Sequence, residues 1–522
     1  MLLPTASEGY DWASSARPLF AGFLTALLVG CAALAERSPG EPTTAYADTQ
    51  GTLLARIAVA SLPMGVAAGD VPSGFRLLPR GEFAFDARVA LVQLAERSID
   101  LQYYHWQPDH VGRALLRALR DAAARGVRVR LLLDDYHAAA LDDLLLDLGA
   151  HDHLQVRLFN PLALRKGAPT ARLLLSPGDF ELHNHRMHNK LLVADNQVAI
   201  LGGRNIGDEY FGMNEPFNFH DLDVVGVGPV ARQASKVFDN FWNSEMVASA
   251  SALRPPFSIY DLDPILNPVE RRLQSHQLKL VGTEPRRWDR EIEGLPADLS
   301  IGTSRVMTDL PDRDSVAHHM PKGVRELMST ATQEVLLVNA YIILDEKTLE
   351  CIRGLTTRGV RVRILTNSLA SQDVPAVNSH YKHFRKPLVE AGVELYEIRP
   401  DAAILRTVVD TPPTRAEFMG LHTKALAVDR RRAFIGSMNL DPRSMELNSE
   451  MGAMIESADF GEKLARLIER NLQPENSWKV ELDPEGQLRW VAGEQVFTDQ
   501  PALSYWQRVQ DWLFMLFPKS LY

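Results

Sequence analysis

One cluster of residues occurs twice in this chain, in the same register. His188-Asn189-Lys190 is followed by Asp195 and then by Gly202-Gly203-Arg204-Asn205. His422-Thr423-Lys424 is followed by Asp429 and then by Gly436-Ser437-Met438-Asn439. In both, the lysine stands two residues after the histidine, the aspartate five after the lysine and the glycine seven after the aspartate. A second landmark has the same period. Arg125-Gly126-Val127-Arg128-Val129-Arg130 returns as Arg358-Gly359-Val360-Arg361-Val362-Arg363, 233 residues on, and the two histidines are 234 residues apart. Such a period is the size of a domain and far above that of a solenoid repeat. The chain is therefore constrained to fold as two copies of one unit.

Each copy orders its elements alike. Residues 98–104 and 334–341 are apolar and β-prone and predict buried strands. Residues 112–125 and 349–358 carry apolar side chains at helical spacing. Both helices run into an Arg-Gly pair, where glycine closes a helix at little cost. Residues 190–194 and 424–428 predict strands with the His and Lys at their starts, and 198–201 and 433–435 predict their partners. Strands alternating with helices argue an α/β fold with a mixed sheet in each of two lobes. The boundaries expected are a signal segment at 1–31, a linker and lead-in at 32–80, the first lobe at 81–253, a connection at 254–300, the second lobe at 301–474 and a tail at 475–522.

The residue types point to phosphate-ester chemistry. Histidine is the side chain whose ordinary pKa, roughly 6.5, lets it be neutral or charged near neutral pH. Of two histidines facing one phosphate, the neutral one can attack phosphorus and form a covalent intermediate. The protonated one can give its proton to the leaving alcohol and take one from the incoming alcohol. Lys190 and Lys424 place positive charge where the non-bridging oxygens gather it. Asn205, Asn439 and Ser437 add neutral donors for the phosphate. The lysines supply the electrostatics, so neither a metal nor a cofactor is expected. His183, His185 and His188 form a His-x-His-x-x-His run, but no cysteine or carboxylate nearby completes a metal set. Residues two apart on a strand share a face, so each histidine projects with its lysine, while Asn189 and Thr423 point away. Neither copy alone supplies both attacker and acid. The motif strands must lie adjacent, forming one site across a pseudo-twofold axis.

These motifs resemble the paired His-x-Lys-x₄-Asp signature of the phospholipase D superfamily, over residues 86–475. Within it, Arg186-Met187-His188-Asn189-Lys190, the stretch Gly202 to Phe211, the stretch Phe434 to Ser444 and Asn448-Ser449-Glu450-Met451-Gly452 are similar to bacterial cardiolipin synthases. The resemblance implies two phospholipase D-like lobes and the catalytic set His188, Lys190, Asp195, His422, Lys424 and Asp429, with His188 as nucleophile. Asp195 and Asp429 are expected to brace the motif loops more than to touch substrate. Asp221 and Glu450 are the implied orienters of the imidazoles. The implied reaction makes cardiolipin from phosphatidylglycerol and either a second phosphatidylglycerol or phosphatidylethanolamine, through a phosphatidyl-histidine. Hydrolysis to phosphatidic acid and cleavage of nucleic acid would use the same residues. The first motif departs from the signature in having Gly203 where a serine is usual.

Composition and the chain ends bear on the partner. A formal charge of −10 argues against a general nucleic-acid binder, which needs a basic surface. The two cysteines exclude a disulfide framework. Cys351 reads as a buried small apolar residue. Cys31 closes an apolar run after Arg17 that is too short to span a bilayer and has the build of a secretory segment. Leu28-Val29-Gly30-Cys31 resembles a bacterial lipobox, which places lipidation at Cys31 and the protein in the cell envelope, membrane-associated and periplasm-facing, with phospholipids as substrates. Near the other end, Ser504 to Phe517 is an aromatic-rich amphipathic stretch, either docked on the core or lying on a membrane surface. Tyr103, Tyr104 and Tyr341 are expected as core or pocket wall, and Asp134 and Asp135 as the end of a strand and the cap of a helix.

Overall fold

The computed structural model describes residues 40–63, 71–162, 164, 166–176, 180–253, 295, 297–312 and 318–516. The first lobe is built on β1 (Ser73–Leu78), β2 (Ser98–Tyr103), β3 (Arg128–Asp134), β4 (Leu154–Phe159), β5 (Lys190–Ala194), β6 (Val198–Gly202), β7 (Phe217–His220), β8 (Asp223–Val227) and β9 (Val247–Ser249). The second is built on β10 (Ser300–Thr308), β11 (Glu334–Asn339), β12 (Arg361–Asn367), β13 (Glu394–Ile398), β14 (Phe418–Leu421), β15 (Lys424–Val428), β16 (Arg432–Gly436), β17 (Met451–Glu456), β18 (Ser477–Leu482), β19 (Leu488–Ala492) and β20 (Gln495–Phe497). Strand order is β1-β8-β6-β5-β2-β3-β4-β9 in the first lobe. It is β10-β17-β16-β15-β11-β12-β13-β18 in the second, continued by β19 and β20. The two orders match position by position, as the duplication requires.

In each sheet three strands run parallel and the rest antiparallel. The parallel steps need crossover helices. The first in each lobe are His110–Ala124, started by the Asp109 side chain, and Glu346–Thr357, started by Asp345. Each is closed by the glycine after its last arginine, Gly126 at φ 90° and Gly359 at φ 79°, a left-handed backbone that suits glycine.

Several contacts unite the lobes, two of them through the sheets. β1 and β10 pair antiparallel, Ser73 opposite Gly302, so the sheets share an edge. The sheets also bury one apolar core between them. Leu191, Val193 and Leu201 of the first lobe pack in it with Ala425, Ala427 and Ile435 of the second. The equivalent helices Pro229–Trp242 and Ala458–Asn471 complete that core. The motif strands β5 and β15 thus meet through side chains and are not ladder partners. Each lies inside its own sheet, which is why both read as continuous apolar runs.

The lobe boundaries are wider than the sequence predicts. The stretch 32–80, expected as linker and lead-in, contributes β1 to the sheet. Its residues Thr43 and Ala45 are also held by the side chains of Asn243 and Asp239. The tail likewise begins inside the second lobe, where β18 pairs with β13. Cys351 is half-buried at the margin of a core cluster, not enclosed. Cys31, most of the 254–300 connection and Phe517 lie outside the described residues.

Candidate active site

Both motif histidines sit just ahead of a central strand, and the chain there is stitched to the opposite lobe. His188 N–H donates to the Ser449 carbonyl at 2.9 Å, and Ser449 N–H donates to that of Arg186 at 2.9 Å. His422 N–H donates to the His220 carbonyl at 2.8 Å, at the end of a parallel ribbon formed by β7 and β14. The stitching fixes the side-chain partners. Nδ1 of His188 lies 2.9 Å from both carboxylate oxygens of Glu450, from the second lobe. Nδ1 of His422 lies 2.6 Å from Oδ2 of Asp221, from the first. Each imidazole is oriented by a carboxylate of the other lobe, so neither half-site exists without its partner. With Nδ1 so engaged, Nε2 is the nitrogen left for chemistry.

The lysines complete a pseudo-symmetric set. Lys190 Nζ donates to the His188 carbonyl at 2.7 Å and Lys424 Nζ to that of His422 at 2.5 Å. Lys190 lies over the Tyr104 ring, 5.2 Å from its centroid, and that ring stands edge-on to His188 at 4.8 Å. Lys424 lies 6.0 Å from the Tyr341 ring, whose hydroxyl donates to Asp373 at 2.7 Å. Tyr210 and Phe219 wall His422.

Burial sets the electrostatics. It holds both histidines well below the usual imidazole range, and the positive charges of Lys190 and Lys424 press in the same direction. Lys190 is likewise pushed far down by burial, and Lys424 down to about 8, although Asp221 and Glu450 pull it back up. Burial raises Glu450 to about 7 and raises Asp221 as well. A negative charge placed among these groups would favour the charged forms of lysine and imidazole.

The structure sorts the remaining residues named from the sequence. Asp195 and Asp429, implied as members of the catalytic set but expected to brace the motif loops, stand apart from the reacting groups. They follow the far ends of β5 and β15, five residues or roughly 16 Å of strand from the lysines. Asp195 accepts from the backbone N–H groups of Glu96, Arg97 and Ser98, and Asp429 from those of Thr332, Gln333 and Glu334. Both lie at positive φ in the hairpin turn and brace it. Ser437 is not a phosphate donor either. Its hydroxyl donates to Oε2 of Glu450 at 2.5 Å, and Ser444 donates to Oε1 at 2.7 Å. The glycine in the first motif has a matching cause: a Cβ on Gly203 would meet Oδ1 of Asp221 at 2.1 Å. Glycine lets that carboxylate approach, where serine in the second copy holds the other one. His185, from the His-x-His-x-x-His run, is buried, with Nε2 2.8 Å from the Ser449 hydroxyl.

The asparagines remain at the site. Asn205 shares a hydrogen bond with the Tyr210 hydroxyl at 2.9 Å, and Oδ1 of both Asn205 and Asn439 is buried without a partner. Turned about its terminal bond, Asn205 accepts the tyrosine proton and leaves its NH₂ as a free donor. Asp134 caps the following turn through Tyr136 N–H and also receives Met187 N–H, so it fixes the approach to His188. Among the described residues, no group of three or more His, Cys, Asp or Glu is arranged to hold a metal ion.

Other contributors were not singled out from the sequence. Arg204 donates to the Asp221 carbonyl at 2.6 Å and to Asp223 at 3.1 Å, and so fixes the loop that carries Asp221. Arg443 is held by Asn184 of the other lobe and lies close enough to depress His188. Asp309 accepts Glu450 N–H at 3.0 Å. Arg204 and Arg443 lie within the motif stretches themselves, which was the available signal.

The family described as "Cardiolipin synthase, PLD-like domain" matches residues 89–242 and 324–472. Cardiolipin synthase C of Escherichia coli (strain K12) is 35% identical over 491 residues, covering 89% of this chain and 98% of that protein. Cardiolipin synthase of Geobacillus kaustophilus is 26% identical, covering 75% and 64%. In fold, the chain is similar to the crystal structure of phosphatidylserine synthase from Haemophilus influenzae, with a TM-score of 0.55 at 14% identity, over 88% of this chain and 96% of that one.

Proposed function

This chain belongs to the phospholipase D-like cardiolipin synthase family, and we propose that it is a phosphatidyltransferase that joins two phospholipids into cardiolipin. The observation that carries this reading is the crossed pair: two imidazoles from two lobes, each tied at Nδ1 to a carboxylate of the other. Nε2 of His188 attacks phosphorus and the bond to the head-group alcohol breaks. That alcohol leaves with a proton from His422, as glycerol from phosphatidylglycerol or ethanolamine from phosphatidylethanolamine. A head-group hydroxyl of a second phosphatidylglycerol then gives its proton to His422 and attacks the phosphatidyl-histidine, which releases cardiolipin and frees His188. Lys190, Lys424, Asn205 and Asn439 hold the non-bridging oxygens throughout.

The two carboxylates are not equivalent, and the difference supports these roles. Glu450 already accepts from Ser437 and Ser444, so less of its charge is left to stabilise a protonated His188. Asp221 receives the Leu222 N–H on one oxygen and gives the other to His422 at 2.6 Å. The neutral attacker is favoured at position 188 and the imidazolium at 422.

The test is purified protein with vesicles of phosphatidylglycerol, with and without phosphatidylethanolamine, followed by mass analysis of the lipids. Cardiolipin is the expected product; phosphatidic acid as the main product would replace transfer by hydrolysis. The profile of kcat/KM should fall as pH rises through about 8, where Lys424 loses its proton. Lys424→Arg, charged at every accessible pH, should lose that alkaline limb even if slower. A limb that stays in place in the variant would assign it to another group.

No helix among the described residues is long and apolar enough to cross a membrane. The reading at the membrane is lipid anchoring through Cys31 on the periplasmic side. Cys31→Ser should then move the mature protein from the envelope to the soluble fraction, and unchanged fractionation would shift the attachment to the C-terminal aromatic stretch.

A further inference from the structure

We infer that residues 496–516 form a bilayer-docking surface beside the catalytic cleft, an inference that rests on the phospholipid-substrate reading above. The helix Tyr505–Phe514 is docked the wrong way round for a soluble surface. Its inward residues are polar: Gln507 is 9% exposed and Asp511 3%. Gln507 donates to the Leu369 carbonyl at 2.6 Å, and Asp511 receives Asn378 at 2.6 Å and Lys382 at 2.8 Å. The large apolar side chains face out instead, with Trp506 at 62%, Trp512 at 58% and Leu516 at 72% exposure. Val496, Phe497 and Leu503 widen the patch. Contiguous exposed apolar groups of this size mark an interaction site.

Three observations choose a bilayer over a protein partner. Exposed tryptophans on a helix that lies along the surface have the amphipathic character of the membrane interface. The chain carries a net charge of −10, so its total charge gives no attraction to an anionic bilayer, and apolar insertion is what this patch offers instead. Position is the third. Gln507 rests on the loop after β12, and that loop supplies Asp373 to Tyr341 beside Lys424. In the first lobe the loop after β3 has an equivalent guest: Arg172 of the helix Pro169–Leu175 binds Asp135 at 2.8 Å, and Leu174 and Leu175 of that helix are 69% and 71% exposed. The duplicated fold thus presents an apolar group on the equivalent loop of each lobe, and both loops border the site. A plane of lipid meets such a pair; a single protein partner has no reason to.

The test uses the full chain with vesicles of phosphatidylglycerol and phosphatidylethanolamine whose acyl chains carry bromine as a quencher. Tryptophan emission should be quenched on binding, and the quenched part should disappear in the double variant Trp506→Ser, Trp512→Ser. Turnover of vesicle lipid should fall about tenfold in that variant, while turnover of dispersed short-chain phosphatidylglycerol keeps its wild-type rate. Quenching that persists, equal loss on both forms of lipid, or a dimer that the variant splits would each overturn the surface. Quenching read on His188→Ala is independent of chemistry. A protein that is quenched there but makes no cardiolipin in the wild-type form keeps the surface and loses the reaction.

Discussion

His188→Ala and His422→Ala should each lower cardiolipin formation by on the order of 10⁴-fold, but they should fail at different steps. Removing His188 removes the atom that takes up the phosphatidyl group, so enzyme quenched in alkaline denaturant, where a P–N bond survives, should carry no lipid phosphate with any substrate. Removing His422 leaves the attacker in place and deprives the departing alkoxide of its proton. A lipid with a nitrophenol head group does not need that proton. With it, His422→Ala should still release about one nitrophenol per enzyme in a rapid burst, then stall for want of a base to activate the second alcohol. Both residues are buried and both are depressed in pKa by that burial, so the titrations alone do not tell them apart. The burst does. A burst retained by His188→Ala and lost by His422→Ala would exchange the two roles. A burst retained by both would end the covalent pathway.

How far the sequence speaks to this site depends on whether the signal is local. The duplication is legible because an apolar strand with a His and a Lys at its head is a pattern within ten residues, and it recurs. The strands at 190–194 and 424–428 follow for the same reason: each is covered on both faces, so its residues are apolar without alternation. For Asp195 and Asp429 the bracing role is legible, but its backbone partners are not. A shared spacing proves a shared structural job, and here the job is to collect three backbone N–H groups at a turn, away from the reaction. Ser437 was misread because a hydroxyl near a phosphate site has two uses, and only the position of Glu450 decides between them. The lobe boundaries failed at β1 and β18, strands whose partners lie far away in the chain. The pairing of Ser73 with Gly302 leaves no trace in the residues around either one. The crossing of Asp221 to His422 and Glu450 to His188 is of that kind too. The acids could be named from the motifs; that each serves the other lobe's histidine is a property of the assembled pair.

Asp221→Asn and Glu450→Gln turn that crossing into a measurement. An amide in place of either carboxylate keeps the volume and the packing, but it presents an NH₂ or a weaker acceptor to Nδ1. The imidazole then gains by moving its proton to Nε2, the nitrogen that must attack or exchange a proton. In the serine protease triad the equivalent change costs roughly 10⁴ in kcat, through the wrong tautomer, and a loss of about that size is expected for Asp221→Asn. Glu450→Gln should cost less, roughly 10²- to 10³-fold, because one of Ser437 and Ser444 can still donate to the amide oxygen while the hydroxyl of the other accepts from the amide NH₂, which keeps the side chain in place. KM should barely move in either variant, since both acids are buried behind the imidazoles and touch no lipid. Glu450→Ala is the poorer experiment: it strands two buried hydroxyls and His188 Nδ1, so a fall in stability would be mixed with the fall in rate. If the amide variants raised KM and left kcat alone, the acids would be head-group ligands. The imidazoles would then have to find their orientation elsewhere, and the interdependence of the two lobes would lose its chemical basis.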